Sequence, residues 1–278
     1  LNKQDIERQL RGFFSTAALL KNQKLSLYAN FDIKKFHLPT ITGELQDELK
    51  PLLYIGKRME IFLKSGIEMQ ENFNLVAFSK QLINMNKQTL GEIDFLVEDI
   101  KNQTYKHIEL VYKFYIVDPN YSEDILKCFM GPKRKDFLYK KLDKLHKHQF
   151  PILFSKEGKQ LLNLYQIEQE KLEQNLCFLA QLFLPLKQKV SLPDYINLNA
   201  VSGYWLAFEG FSRLSKDSQY FIPKRQDWMV EPNFKQIKSK DFESIQQEVA
   251  NQIKNGSCPM LWEQNSKGEL VKYLITAN

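Results

Sequence analysis

The stretch GEIDFLVEDIKNQTYKHIELVYKFYI, residues Gly91–Ile116, contains two apolar strands that carry acids where a sheet interior favours hydrocarbon. In Gly91–Asp99, Ile93, Phe95 and Val97 recur at period two on one face, and Glu92, Asp94 and Leu96 fall on the other. In Tyr105–Ile116 the even positions Ile108, Leu110, Tyr112, Phe114 and Ile116 are apolar, while His107, Glu109, Val111 and Lys113 occupy the odd ones. Strand interiors disfavour Asp and Glu, and a buried carboxylate without partners is costly, so two acids on adjacent strands need a cation or strong donors nearby. A divalent metal is the economical explanation. A sheet with one wet face alternates in the same way, with Asp94 and Glu109 solvated and Lys113 as their cross-strand partner, and period alone leaves both readings open.

The rest of the chain frames this hairpin without deciding its chemistry. With 278 residues, 43% hydrophobic and 26% charged, the chain has the composition of a globular protein with one large core or two smaller ones. No apolar run approaches bilayer length and the first residues lack a signal-peptide pattern, which leads us to expect a soluble, cytoplasmic protein. Cys128, Cys177 and Cys258 are odd in number, widely separated and without metal-type spacing, so they read as buried reduced thiols. The net charge of +6 is unevenly spread. Between Lys133 and Gln149, seven basic residues (Lys133, Arg134, Lys135, Lys140, Lys141, Lys144, Lys147) face only Asp136 and Asp143.

Periodicity predicts helices over Asn2–Leu20 and Leu45–Ile67, the latter with Pro51 either in its first turn or interrupting it and Glu60 in its second half. Asn72–Asn84 reads as a strand preceding the two acidic ones. Lys133–Gln149 then reads as one basic helix with Phe137, Leu138, Leu142 and Leu145 as its apolar stripe, followed by a short extended Pro151–Phe154 and a helix capped by Ser155. Leu176–Leu184 reads as a buried strand. Beyond Ser191 we expect aromatic strands at Gly203–Phe208 and Gln219–Val230, a helix at Asp241–Lys254, and a closing hairpin, Met260–Gln264 and Glu269–Thr276. Tyr204, Trp205, Tyr220 and Trp228 are assigned to the core rather than to a base-stacking platform. His146 and His148, two apart on a helix, cannot form a metal clip.

The order of a helical Glu60, a strand, Gly91-Glu-Ile-Asp on the next and a Glu/Lys strand resembles the PD-(D/E)XK nuclease superfamily. More narrowly, Gly91-Glu-Ile-Asp-Phe-Leu, His107-Ile-Glu-Leu-Val-Tyr-Lys-Phe-Tyr, Gly131-Pro-Lys-Arg-Lys-Asp, Lys141-Leu-Asp-Lys-Leu-His-Lys-His-Gln, Gly203-Tyr-Trp-Leu and Pro223-Lys-Arg-Gln-Asp-Trp are similar to the bacterial family called domain of unknown function 1853, over nearly the whole chain. The resemblance implies an α/β fold, a restriction-endonuclease-like αβββαβ core over residues 1–190, and a C-terminal α+β extension over 191–278. It also implies a nuclease hydrolysing phosphodiester bonds, on DNA rather than RNA. Asp94 and Glu109 would be the ligands of Mg²⁺ or Mn²⁺, Glu60 an auxiliary carboxylate, and Lys113 on the Glu109 strand the electrostatic assistant. Lys133, Arg134, Lys135, Lys140, Lys141, Lys144 and Lys147 would hold the nucleic-acid backbone.

One departure stands out. The superfamily places Lys two residues after Glu, but Val111 holds that position and Lys113 lies four after, which on a regular strand moves it from roughly 7 Å to roughly 13 Å away. A β-bulge could shorten the gap, or Lys80 on the preceding strand could substitute. The alternative function is a catalytically inactive module on the same scaffold that binds nucleic acid or protein.

Overall fold

In the computed structural model, which describes residues 2–21, 27–49 and 53–277, sixteen helices and strands carry the fold. They are α1 (Lys3–Ser15), β1 (Ala29–Asn30), α2 (Gly43–Glu48), α3 (Ile55–Glu68), β2 (Phe73–Ile83), β3 (Thr89–Asp99), β4 (Thr104–Val117), β5 (Phe129–Met130), α4 (Leu138–Lys144), α5 (Lys156–Leu164), β6 (Leu172–Pro185), β7 (Val201–Ala207), β8 (Gln219–Phe221), α6 (Phe242–Lys254), β9 (Met260–Gln264) and β10 (Leu270–Thr276). The protein is therefore of mixed α/β class. The three free cysteines are all buried. Among the described residues, no helix is long and apolar enough to cross a membrane.

Several expected elements change their bounds. The helix read over Leu45–Ile67 is two helices: Thr42 Oγ1 caps α2 by accepting from Leu45 N–H at 3.2 Å, and Leu49 leaves the helical region at ψ 57°. Pro51 lies outside the described residues. The basic segment is not one helix either. Gly131 N–H donates to Asp136 O at 2.7 Å, Arg134 N–H donates to Gly131 O at 2.8 Å and Arg134 takes a φ of 55°, so a closed turn precedes α4. After α4 the chain widens into a π-turn, Leu145–Gln149. Pro151–Phe154 is a 3₁₀ turn rather than extended, with proline in the first-turn position where its missing N–H is harmless. Only Gln219–Phe221 of the long aromatic strand pairs, because Pro223 offers no amide and Arg225–Asp227 turns back as 3₁₀.

By internal contacts the chain divides into two units. Leu1–Tyr112 with Lys140–Leu179 form the first, and Lys113–Tyr139 with Ala180–Asn278 form the second. In the first unit the strands follow the order β2-β3-β4-β6, with β2–β3 and β3–β4 antiparallel and the short β1 parallel to β6. Its elements run α3, three strands, α4 and α5, then β6. Ala77, Leu82, Ile93, Leu96, Leu153, Leu161, Leu162 and Ile167 make one buried cluster. Phe13 of α1 packs 5.9 Å from both Phe62 and Tyr112, and the hydroxyls of Thr16 and Tyr112 are hydrogen-bonded at 2.9 Å.

The second unit has the strand order β6-β7-β10-β9-β8, with β6–β7 and β7–β10 parallel and β10–β9 and β9–β8 antiparallel. The hairpin read between β9 and β10 is present: Asn265 Oδ1 accepts from Lys267 N–H at 2.9 Å and Glu269 N–H at 3.0 Å, and Gly268 supplies a φ of 83°. Leu206, Phe211, Leu214, Tyr220, Phe242, Ile245, Val249, Leu261, Tyr273 and Ile275 form its core. Of the aromatics assigned to the interior, Tyr220 and Trp228 are buried and Trp205 is half-buried, whereas Tyr204 is exposed.

The β7–β10 pairing leaves no room at Gly203, where a Cβ would lie 2.1 Å from Lys272 O. Gly203→Ala should lower the unfolding free energy by about 1–3 kcal/mol, read as a reduced urea midpoint. A native midpoint would show that the two strands separate without cost.

Candidate functional site

All the geometry that follows lies within the first unit unless stated. The β3–β4 ladder runs from Asp99↔Thr104 to Phe95↔Ile108, so the next step brings Asp94 opposite Glu109. At this step the side chain enters the ladder: Leu110 N–H donates to Asp94 Oδ2 at 2.9 Å. On the other flank, Phe78 pairs with Phe95 and Lys80 with Ile93, which sets Ser79 across from Asp94. Ser79 has a φ of 50°, a left-handed conformation that costs a non-glycine residue energy and recurs at functional sites. Ser79, Asp94 and Glu109 therefore share one level across three strands.

Glu109 is fully buried and held on both oxygens. Gln174 Nε2 donates to His107 Nδ1 at 3.3 Å, which leaves the ring proton on Nε2, from where it is donated to Glu109 Oε1 at 3.1 Å. Gln149, at the end of the π-turn, donates its Nε2–H to Glu109 Oε2 at 2.6 Å and accepts on Oε1 from Lys141 Nζ at 2.6 Å. A continuous chain of polar contacts thus runs from α4 into the sheet.

A second polar group borders the first. Lys57 of α3 donates to Glu60 Oε2 at 2.7 Å and to Ser79 Oγ at 2.5 Å, and stands 3.6 Å from Glu92 Oε1. Ser79 in turn donates to Glu92. Burial acts to lower the Lys57 pKa, but Glu60 and Glu92 outweigh it and raise the value, so Lys57 is a cation. Glu60 reaches the carboxylate pair as charge: it raises the pKa of both Asp94 and Glu109.

Burial, and after it the charge of Glu109, push the Asp94 carboxyl up to about 8. Burial likewise raises Glu109, opposed chiefly by Lys141. His107 is lowered to about 4 by burial and is neutral at physiological pH, as accepting from Gln174 on Nδ1 requires. The pair therefore carries less negative charge at neutral pH than two free carboxylates would, and a nearby cation would restore it.

The sequence-read residues are placed as follows. Asp94, Glu109 and Glu60 are brought within electrostatic reach of one another. Lys113 belongs to the second unit and donates to Asp136 at 2.5 Å. Lys80 is exposed. In the second unit Lys133 and Lys135 are exposed, while Arg134 donates to Asp118 at 2.6 Å and lies over the Trp205 ring. In the first unit Lys140, Lys144 and Lys147 are exposed, Lys147 paired with Asp143 at 2.6 Å. His148 is exposed, and His146 stacks on Tyr28. Among the described residues, no group of three or more His, Cys, Asp or Glu is arranged to hold a metal ion.

Sequence reading missed Gln149, Lys57, Ser79 and the buried role of His107. His107 carried a signal, sharing the period-two face of Glu109. Gln149, forty residues away in sequence, carried none.

A carboxyl whose pKa is raised by folding weakens the fold as it ionises. Stability at Asp94 is full near pH 4 and declines as pH rises toward about 8, each pK unit of displacement being worth about 1.4 kcal/mol at most. Asp94→Asn should flatten this decline and, at pH 9, melt about 2–4 °C above the native chain for each kcal/mol recovered. Parallel loss of stability in native and variant from pH 5 to 9 would sink the assignment.

Nothing among curated proteins or solved structures matches this chain. A family model does, described as a domain of unknown function (DUF1853) and matching residues 8–272. By that match, which takes in the carboxylate strands and all but the end of the closing hairpin, the chain belongs to the DUF1853 family.

Proposed function

We propose that this protein is a metal-dependent nuclease that hydrolyses phosphodiester bonds in DNA, with Asp94 and Glu109 as the ligands of Mg²⁺ or Mn²⁺. The observation that carries this reading is the placing of two acids at one step of the β3–β4 ladder, each with its pKa raised by burial and, at Asp94, by its neighbour's charge. The donor set suits a hard cation, because it consists of carboxylate oxygens. A pair suffices for Mg²⁺, which is ordinarily held by one or two carboxylates with water and substrate phosphate filling the remaining positions. Bound there, the ion would supply Lewis acidity toward the phosphate and lower the pKa of a water.

The chain's own residues do the rest. His107 and Gln149 orient the Glu109 carboxylate, and the Leu110 amide orients that of Asp94. Glu60 adds negative charge behind both, while its own oxygen is tied to Lys57. A restriction-endonuclease-like core is part of the proposal, supported by the order α3, β2, β3, β4, α4 and α5, β6 in the first unit. Exposed Lys144, whose charge acts on Glu109, and exposed Lys147 in the turn that follows suit sequence-independent contacts to a phosphate backbone, which weaken steeply with salt.

A second reading has its own support. With Lys113 engaged by Asp136, the strand lysine of the resemblance does not serve the carboxylates, which favours a scaffold that binds nucleic acid or protein without cutting it. Incubating the protein with plasmid and single-stranded DNA, in Mn²⁺ or in chelator, separates the two. Nicking that requires Mn²⁺ and falls by about 100-fold or more in Asp94→Asn and Glu109→Gln is the expected result. DNA binding with a steep salt slope and no cleavage in Mn²⁺ would hand the assignment to the second reading.

A further inference from the structure

We propose that Lys141, held in place by Gln149, is the cation that meets the substrate phosphate beside Asp94 and Glu109, in the role that the strand pattern assigns to Lys113. The inference rests on the nuclease reading but adds a residue from a different element.

Gln149 presents its two ends to opposite charges. Its amide nitrogen donates to Glu109 Oε2 at 2.6 Å and its carbonyl accepts from Lys141 Nζ at 2.6 Å. Reversing the amide would set a carbonyl against a carboxylate and an N–H against an ammonium, so the pair of partners fixes its orientation. The ammonium of Lys141 is therefore fixed two hydrogen bonds from the carboxylate. The local backbone is adapted to this. Leu145–Gln149 is a π-turn closed by Phe150 N–H donating to Leu145 O at 3.0 Å, and it carries Gln149 off the position that a continuing α-helix would give it. Such turns are rare and occur largely at functional sites.

Two other candidate lysines face different carboxylates directly. Lys57 is held among Glu60, Ser79 and Glu92, and Lys113 by Asp136. Lys144 is exposed, whereas Lys141 is half-buried with its ammonium bonded to Gln149. In phosphodiester hydrolysis, water oxygen bonds to phosphorus, the bond from phosphorus to the leaving oxygen breaks, and the proton lost by water is made good on the leaving oxygen through solvent. Negative charge on the non-bridging oxygens is what an ammonium at this place would hold. Gln149 is the positioning residue.

The test compares Lys141→Met, Lys141→Arg, Gln149→Leu, Lys113→Met and Lys147→Met in three measurements: single-turnover cleavage in Mn²⁺, DNA affinity by anisotropy, and Mn²⁺ affinity by calorimetry without DNA. Lys141→Met should slow cleavage about 100-fold with little change in DNA affinity, and Lys141→Arg should regain part of the rate. Gln149→Leu should also slow cleavage, whereas Lys147→Met should weaken DNA binding and Lys113→Met should behave as native. Removing a positive charge beside the acids should also tighten Mn²⁺ binding several-fold in Lys141→Met alone. The proposal is overturned if Lys113→Met carries the loss of rate, or if Lys141→Met changes neither cleavage nor Mn²⁺ affinity. If the native protein cuts nothing, the nuclease reading fails by itself; tighter Mn²⁺ binding in Lys141→Met then still supports this placement of the cation, and its absence overturns it. A native chain that binds no Mn²⁺ and cuts nothing overturns both.

Discussion

A carboxylate withdrawn from water needs donors or opposite charge, and Asp94 and Glu109 present two of them at a single step of the β3–β4 ladder. The surrounding chain is arranged around that demand. Leu110 gives its amide to Asp94 rather than to a strand neighbour, and the His107 ring and the Gln149 amide each give a proton to Glu109. These donors are neutral, so they satisfy lone pairs without cancelling charge, and burial still raises both acids, the charge of Glu109 adding to it at Asp94. A site whose bonded donors are neutral and whose acids are still raised is suited to a small cation. It is poorly explained as a solvated strand face, because Glu109 is completely shielded from solvent.

The lysines show how the same residue type is divided among different tasks. Lys57 neutralises Glu60 and Glu92 and holds Ser79 in its left-handed turn, a local matter settled within α3, β2 and β3. Lys113 pairs with Asp136 within the second unit. Lys141 is tied to Glu109 through Gln149, which accepts from its ammonium and donates to the carboxylate.

The strand patterns were legible because they are written within ten or so residues. Alternation over Gly91–Asp99 and Tyr105–Ile116 is enough to give β3 and β4, and the Asn265 side chain with Gly268 is enough to give the closing turn. Helical periodicity gave α1, α3 and α6 but misjudged where helices break. A run of lysines over Lys133–Gln149 keeps its apolar stripe across a turn, a short helix and a π-turn alike, so composition could not separate them.

By itself, then, the sequence determined the order of helices and strands, the mixed α/β class and the acids that stand on adjacent strands. The tertiary structure alone decided which donors meet those acids, that Lys113 answers to Asp136, that Ser79 and Asp94 stand level, and that Lys141 and Gln149 close on Glu109. The reason is physical: a side chain's face follows from its immediate neighbours along the chain, but its partner is fixed by where segments forty residues apart are brought to pack.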